Sequence, residues 1–208
     1  MEVISHRGYW KTASEKNTET AFIRSFKLGL GTETDIRDLD GEVVISHDIP
    51  LSKNNPLSLA ELLELYSEFG CKGTLALNVK ADGLQYKVME CIEASSLTNY
   101  VLFDMSVPDQ LVTQRAGLNY LTRMSDLEPV PALLNDSVGV WIDEFNEGWL
   151  TIAMLENILD SGKRAFIVSP ELHGRGYLQL WSMIKPYVDR DLVLCTDFPE
   201  DAKSYFGV

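Results

Sequence analysis

Residues 74–116 read TLALNVKADGLQYKVMECIEASSLTNYVLFDMSVPDQLVTQRA, and this stretch decides the fold. A short apolar run at 74–79 precedes a segment with helical spacing at 84–94, and the same pair recurs at 100–104 and 107–116. Strands that alternate with helices in this way form a parallel sheet with right-handed crossovers. The stretch therefore predicts two consecutive βα units.

The same alternation extends to both ends of the chain. Further strands are predicted at 3–6, 32–37, 42–46, 120–123, 138–143, 164–169 and 192–196. Further helices are predicted at 18–28, 58–69, 151–159 and 176–184, with a weak helical turn near Asp126. Ser58 and Glu61 have the spacing of a capping box at the start of one of these helices.

About eight such units in 208 residues predict a compact (β/α)8 TIM barrel, with residues 1–208 as a single domain. An open doubly wound sheet is the alternative. The turn after the first strand has only His6-Arg7-Gly8 and no GxGxxG or GxxxxGK[ST] loop, which disfavours nucleotide-binding versions of that sheet.

Composition excludes several classes of function. The chain has 18 Lys and Arg against 31 Asp and Glu, a net charge of -13, which argues against a nucleic-acid binder. The sequence contains no run of about 18 apolar residues, so we predict no membrane-spanning segment. The three cysteines, Cys71, Cys91 and Cys195, are widely spaced, so we expect no disulfide framework and a cytoplasmic location. A phosphate-bearing substrate would need a bound cation or local basic residues to offset the acidity.

Polar residues occupy the ends of the predicted strands, where parallel barrels place their chemistry. Glu33 and Asp35 are two residues apart and share a face of one strand, and Asn78 and Lys80 do the same on the next. Oxygen ligands of this kind suit one hard divalent cation, Mg²⁺ or Ca²⁺. Without a cation, the two carboxylates would repel each other. The alternative is an ordinary solvent-facing strand edge.

Two of the three histidines, His6 and His47, lie at strand ends in the same quarter of the chain. Paired imidazoles beside a cation site are typical of acid/base catalysis, because imidazole titrates near neutral pH. Trp141, Glu171 and His173 are further candidates for substrate contact. Core packing is the alternative for Trp141, and a surface loop for the other two.

Together these residues resemble the glycerophosphodiester phosphodiesterase family. The resemblance is close over the N-terminal quarter and rests mainly on element order beyond it. The matching segments are His6-Arg7-Gly8, Glu15-Lys16-Asn17-Thr18, Glu33-Thr34-Asp35, Asp40-Gly41, His47-Asp48 and, near the C-terminus, Thr196-Asp197-Phe198-Pro199.

The resemblance implies a metal-dependent hydrolase that cleaves a small or lipid-derived phosphodiester. It gives His6 and His47 the roles of general acid and general base. The sequence does not decide which of the two is the acid. It makes Glu33, Asp35 and Asn78 the ligands of one Mg²⁺ or Ca²⁺ ion, and Arg7 and Lys80 the partners of the phosphate. A variant of the same chemistry is attack by a substrate hydroxyl to give a cyclic phosphate.

The sequence departs from the family pattern in three places. Lys16 is inserted between Glu15 and Asn17, and Asn78 stands where the family has a third metal carboxylate. The small insertion that usually follows strand 2 is absent, because only residues 49–57 precede the next helix, which predicts an open mouth. Two alternative functions follow: a phosphate-binding barrel without turnover, and a Schiff-base lyase that uses Lys80.

Overall fold

Eight parallel strands form a ring in the computed structural model, which describes all residues from Met1 to Val208. The strand order is β5-β4-β2-β1-β9-β8-β7-β6, and a parallel bridge between Leu102 and Tyr120 joins the two ends. β3 pairs antiparallel with the end of β2, outside the ring. The strands are β1 Glu2–His6, β2 Gly31–Leu39, β3 Glu42–Ile45, β4 Leu75–Val79, β5 Tyr100–Phe103, β6 Leu121–Ser125, β7 Gly139–Asp143, β8 Arg164–Val168 and β9 Leu192–Thr196. The predicted (β/α)8 barrel is confirmed.

Seven helices surround the strands: α1 Glu19–Lys27, α2 Leu59–Glu68, α3 Gln85–Ser95, α4 Val107–Arg115, α5 Ile152–Asp160, α6 Leu178–Ile184 and α7 Pro199–Phe206. The capping box of α2 is present, because Ser58 accepts a hydrogen bond from the Glu61 backbone and Glu61 accepts one in return. None of these helices is both long and apolar enough to cross a membrane.

One helical expectation is wrong, and one helix was missed. The turn predicted near Asp126 is wrong: the β6–β7 connection is irregular and has only a short 3-10 turn at Leu134–Asp136. Pro129 and Pro131 explain this, since each lacks a backbone N–H and restricts the residue before it. Helix α7 was not predicted, although Pro199 in its first turn is a helix-start signal.

Three apolar layers hold the barrel together. Two lie between the strands and the surrounding helices, and the third fills the barrel itself. The interior layer consists of ten buried residues: Ile4, Ala76, Val101, Phe103, Leu121, Trp141, Phe166, Val168, Val193 and Cys195. Because this layer closes the centre of the barrel, the polar side chains above it open only toward the C-terminal ends of the strands.

The loop between β3 and α2 contains only a 3-10 turn, Ser52–Asn54. The insertion after strand 2 is therefore absent from the structure, as the sequence predicts.

Gly8 fixes the turn between β1 and α1. Its φ is +79°, and a Cβ at this position would lie 2.7 Å from the Ala21 Cβ atom and 2.9 Å from the Ala21 carbonyl carbon. Gly148 has a similar φ, +89°, but open space around it. We expect Gly8→Ala to lower the free energy of unfolding by about 1–2 kcal/mol more than Gly148→Ala, because only Gly8 adds a steric clash to the backbone strain. Urea denaturation of both variants measures this, and equal losses would contradict it.

Candidate active site

A cavity of about 460 Å³ opens at the C-terminal ends of the strands. Most of the residues predicted from the sequence line it: His6, Arg7, Glu33, His47, Asn78, Lys80, Trp141 and His173. Asp35 is fully buried beside this lining. Glu171 does not line the cavity.

The acidic pair lies on β2, next to residues of both neighbouring strands. In the parallel register, Glu33 pairs with His6 of β1, and Asp35 pairs with Asn78 of β4. The Arg7 backbone N–H donates to the Glu33 carbonyl at 2.9 Å and to its carboxylate at 3.2 Å. Because laterally paired residues of a sheet point to the same side, these four side chains share the barrel mouth.

Asp35 is the most strongly paired carboxylate of the site. Its Oδ2 atom lies 2.9 Å from Arg7 Nε and accepts a hydrogen bond from Asn17 Nδ2 at 2.8 Å. Its Oδ1 atom lies 3.6 Å from Lys80 Nζ. Three polar partners explain how a charge at this position can be buried.

Alternating charges continue across the mouth from Asp35. Lys80 Nζ lies 3.5 Å from the Asp104 Oδ2 atom, and Arg123 Nη1 lies 3.1 Å from Asp104 Oδ1. Arg7, Lys80 and Arg123 all line the cavity, as does Lys16. A strongly acidic chain thus supplies four local cations where a phosphate could bind.

Glu33 has no ion pair with an arginine or lysine side chain, unlike Asp35. Burial, reinforced by the charge of Asp35, raises the pKa of Glu33 to about 7, although His6, Arg7 and Lys80 partly oppose the change. Near neutral pH this carboxyl is poised between its protonated and ionised forms.

The raised pKa predicts how stability depends on pH in the metal-free protein. Between an ordinary pKa of 4.5 and about 7, folded Glu33 keeps a proton that the unfolded chain releases. Stability should therefore fall by about 3 kcal/mol as pH rises through this window, relative to Glu33→Gln, whose amide does not titrate. Unfolding both proteins in EDTA at pH 4.5, 6 and 7.5 tests this, and parallel pH profiles would contradict it.

His6 is oriented by a chain of hydrogen bonds. His6 Nδ1 lies 2.7 Å from Asp197 Oδ1, and the other ring nitrogen, Nε2, lies 4.0 Å from Glu33 Oε2. Glu171 in turn accepts from the Asp197 backbone N–H at 3.1 Å and from the hydroxyls of Ser169 and Thr196. Glu171 therefore supports the loop that carries Asp197, and the prediction that it contacts substrate finds no support in this geometry.

We expect Asp197→Asn to lower kcat on a phosphodiester by about 10–100-fold with little change in KM, because the carboxylate holds the His6 ring in one orientation. The matched control is Asp48→Asn. Asp48 pairs with His47 at 2.8 Å but is almost fully exposed, so its loss should have little effect. Equal effects of the two substitutions on kcat would contradict the role of Asp197.

His47 lies in the loop after β3, and its side chain is 47% exposed. Its backbone carbonyl accepts a hydrogen bond from Arg37 Nε at 3.0 Å, and the preceding residue, Ser46, donates its N–H to the Asp35 carbonyl. The loop is thus attached to β2, and the imidazole reaches the same cavity as His6.

The opposite side of the cavity holds the third histidine. His173 Nε2 lies 2.6 Å from Asp143 Oδ1, and Phe145 packs edge-on against its ring at 5.4 Å between centroids. Burial raises the pKa of Asp143 above its usual value, although the hydrogen bond with His173 opposes the shift. Trp141 stacks on Phe103 at 3.8 Å and is almost fully buried, so it packs in the core while one edge lines the cavity floor.

The inserted Lys16 separates Glu15 from the site. Glu15 faces away and pairs with Arg24 at 2.8 Å, which lowers its pKa to about 2. Asn17 takes the inward position, with a left-handed φ of 57°. Arg7 and Asp104 share this uncommon conformation, so three non-glycine residues with positive φ surround one cavity. Such backbone strain is concentrated at functional sites in proteins.

The donor set at the barrel mouth fits a hard cation. Asp35 Oδ1 and Asn78 Oδ1 are buried without a hydrogen-bond donor, on residues that are lateral neighbours, and Glu33 lies on the same side. Buried oxygens without donors cost free energy unless a cation or a donor satisfies them. No cluster of three or more His, Cys, Asp or Glu residues is arranged to hold a metal.

The polar residues of the site that were not among the predicted site residues are Lys16, Asn17, Asp104, Arg123, Ser125, Glu128, Asp143 and Asp197. Three of them end predicted strands, which is the available signal. Their roles depend on partners far away in sequence: His6 and Asp197, for example, are 191 positions apart.

Comparison with solved structures places the fold among known barrels. A phosphodiesterase from Oleispira antarctica in complex with its product sn-glycerol-3-phosphate aligns with a TM-score of 0.72 at 18% identity, covering 100% of this chain and 97% of that one. Glycerophosphodiester phosphodiesterases from Agrobacterium tumefaciens and Parabacteroides distasonis align at 0.70 and 0.72, with 16% and 12% identity. The alignments cover 99% of this chain in both cases, and 98% and 86% of the other chains.

No family model matches the chain, and the search of curated proteins gives no match. A phosphoribosyl anthranilate isomerase from Thermus thermophilus also aligns, at a lower TM-score of 0.53. Because one barrel fold serves unrelated reactions, these similarities establish the fold, and function has to be argued from the site.

Proposed function

We propose that this protein is a phosphodiester hydrolase of the glycerophosphodiester phosphodiesterase family. The observation that carries the proposal is one cavity lined by His6 and His47, by the acid Glu33, and by the cations Arg7 and Lys80. The solved phosphodiesterases that share the fold support it, and the product bound to one of them is itself a phosphomonoester.

In the proposed reaction, a water oxygen forms a bond to phosphorus while the ester P–O bond breaks. One imidazole takes the proton of the water, and the other gives a proton to the departing alkoxide, so an alcohol and a phosphomonoester leave. Arg7 and Lys80 stabilise the negative charge on the phosphoryl oxygens. Asp197 orients the His6 ring through its hydrogen bond with Nδ1.

Glu33, Asp35 and Asn78 would hold one divalent cation, Mg²⁺ or Ca²⁺. When bound, such an ion supplies positive charge to the phosphoryl group and orients it. An amide ligand adds no charge, and Arg7 and Lys80 already neutralise Asp35, so we propose that the ion is held more weakly than by three carboxylates.

The experiment is a panel of phosphodiesters assayed with Mg²⁺, Ca²⁺ or EDTA, beginning with bis(p-nitrophenyl) phosphate. Hydrolysis that needs a divalent ion supports the proposal, and phosphorus NMR of the products separates direct hydrolysis from cyclic phosphate formation. Thermal melts with each ion give an independent reading, since an ion bound only to the folded state raises Tm. Full activity in EDTA would contradict the metal site.

A phosphate-binding barrel without turnover is the second candidate, favoured by the uncharged Asn78. Phosphate that raises Tm in a protein inactive on every diester of the panel would support it. The Schiff-base lyase is disfavoured because Lys80 is paired with two carboxylates, Asp35 and Asp104. A Schiff-base lysine is activated instead by an apolar pocket or a neighbouring cation. Borohydride trapping of a carbonyl substrate on Lys80 would reverse this conclusion.

A further inference from the structure

Four cationic side chains line the active-site cavity, and three of them are engaged in ion pairs. Those three are Arg7, Lys80 and Arg123. Each lies within 3.6 Å of the carboxylate of Asp35 or Asp104. The fourth, Lys16, forms no ion pair, and its ammonium group lies over the ring of Trp10. Its whole charge is therefore available to an anion in the cavity, whereas the other cations share theirs with acids.

The residues on either side of Lys16 hold its backbone in place. Glu15 is turned away from the cavity by its ion pair with Arg24 at 2.8 Å. Asn17 points inward and donates a hydrogen bond from its side-chain amide to Asp35 at 2.8 Å. Lys16 therefore leaves the backbone beside the buried part of the site, and the acid nearest to it on the N-terminal side already has another partner.

The side chain of Lys16 is held by an aromatic ring. Its Nζ atom lies 4.5 Å from the centre of the Trp10 indole, which is within the range of a cation–π interaction. The indole nitrogen is buried, so the ring itself is fixed in the loop. An aromatic face attracts an ammonium group without neutralising it, and the N–H groups of Lys16 remain free to donate to an anion.

We propose that Lys16 is a catalytic residue that contacts the phosphoryl group directly, donating a hydrogen bond from its ammonium group to a non-bridging phosphate oxygen. The inference rests on the proposed function and adds a residue to it. The ammonium stabilises the negative charge on these oxygens while the ester P–O bond breaks. In the metal-free protein Asp35 pairs with both Arg7 and Lys80, so Lys16 is the cation of the cavity that phosphate meets without competition.

Lys11 provides a matched control in the same loop. Its Nζ atom also lies over an aromatic ring, that of Tyr9, at 3.9 Å from the ring centre. Unlike Lys16, it lies 3.6 Å from a carboxylate, that of Glu200, and does not line the cavity. Replacing either lysine with methionine removes one positive charge and keeps a flexible apolar stem. A difference between the two variants therefore reports the contact with phosphate and not the net charge of the loop.

The first measurement is steady-state hydrolysis of bis(p-nitrophenyl) phosphate. We expect Lys16→Met to lower kcat/KM by about 10–100-fold, the usual effect of losing a hydrogen bond between charged groups. Lys16→Arg keeps the charge and the N–H donors, so it should retain most of the wild-type activity. Lys11→Met should match wild type. Wild-type activity in Lys16→Met would overturn the inference.

The second measurement needs no turnover. Inorganic phosphate titrated in EDTA at constant ionic strength should raise the Tm of wild type, because phosphate binds the folded state. Lys11→Met and Lys16→Arg should respond as wild type does. Lys16→Met should need about tenfold more phosphate for the same rise in Tm, since its cavity has lost the unpaired cation.

The two measurements separate this inference from the proposed function. The same phosphate dependence of Tm in Lys16→Met as in wild type would overturn the inference, and hydrolysis of the diester by wild type would in that case leave the proposed function standing. A phosphate effect that is lost in Lys16→Met, in a protein whose wild type cleaves no diester, would contradict the proposed function and support Lys16 as the phosphate contact.

Discussion

Replacing His6 with alanine should lower kcat/KM for a phosphodiester by about 10²–10⁴-fold, the usual contribution of a positioned acid or base. His6 is the better ordered of the two imidazoles, since its Nδ1 is held by Asp197 and its side chain is only 13% exposed. His47→Ala should also inactivate the enzyme, toward the lower end of that range, because its exposed loop holds the ring less firmly. Steady-state kinetics on bis(p-nitrophenyl) phosphate with saturating divalent ion measures both.

The matched control is His173→Ala. His173 lines the same cavity and also pairs with a carboxylate, Asp143, but it lies beside Phe145, away from Glu33 and Asp35. As a substrate contact it should affect KM more than kcat. A loss of kcat as large in His173→Ala as in His6→Ala would require a different assignment of the acid and the base. Activity retained in both His6→Ala and His47→Ala would contradict the two-histidine mechanism.

Replacing Asp35 with asparagine should lower the free energy of unfolding at pH 7.5 by about 3–5 kcal/mol, as expected when one member of a buried ion pair is removed. Asp35 is fully buried and pairs with both Arg7 and Lys80. Without it, Lys80 would keep only Asp104 as a partner, and the Arg7 guanidinium would lose its carboxylate. Urea denaturation in EDTA measures the loss in the metal-free protein.

The comparison with Glu33→Gln makes this prediction specific. Glu33 carries a carboxyl whose pKa is raised by burial and by Asp35, so its neutral replacement should stabilise the metal-free protein at pH 7.5. Two acids two residues apart on β2 should therefore respond in opposite directions. Destabilisation of similar size in both variants would contradict the raised pKa of Glu33. Both variants should bind a divalent ion more weakly, because each loses a charged ligand.

The sequence predicted the barrel because the barrel follows from local patterns. Apolar runs of strand length alternate with helical spacing, and Ser58 with Glu61 marks a helix start by chemistry that acts within four residues. The C-terminal ends of the strands are likewise visible in sequence, so the positions of His6, Glu33, Asp35, Asn78 and Lys80 at one mouth could be predicted. The failure near Asp126 has the same local origin, since Pro129 and Pro131 were present in the sequence and argue against a helix.

What the tertiary structure decided is which side chains meet across the mouth. Asp197 contacts His6, and Glu171 supports Asp197, because β9 closes the ring beside β1. The raised pKa of Glu33, which the sequence does not distinguish from Asp35, depends on burial and on the charge of that neighbouring acid. Such properties come from distances between remote segments, and no local pattern encodes them.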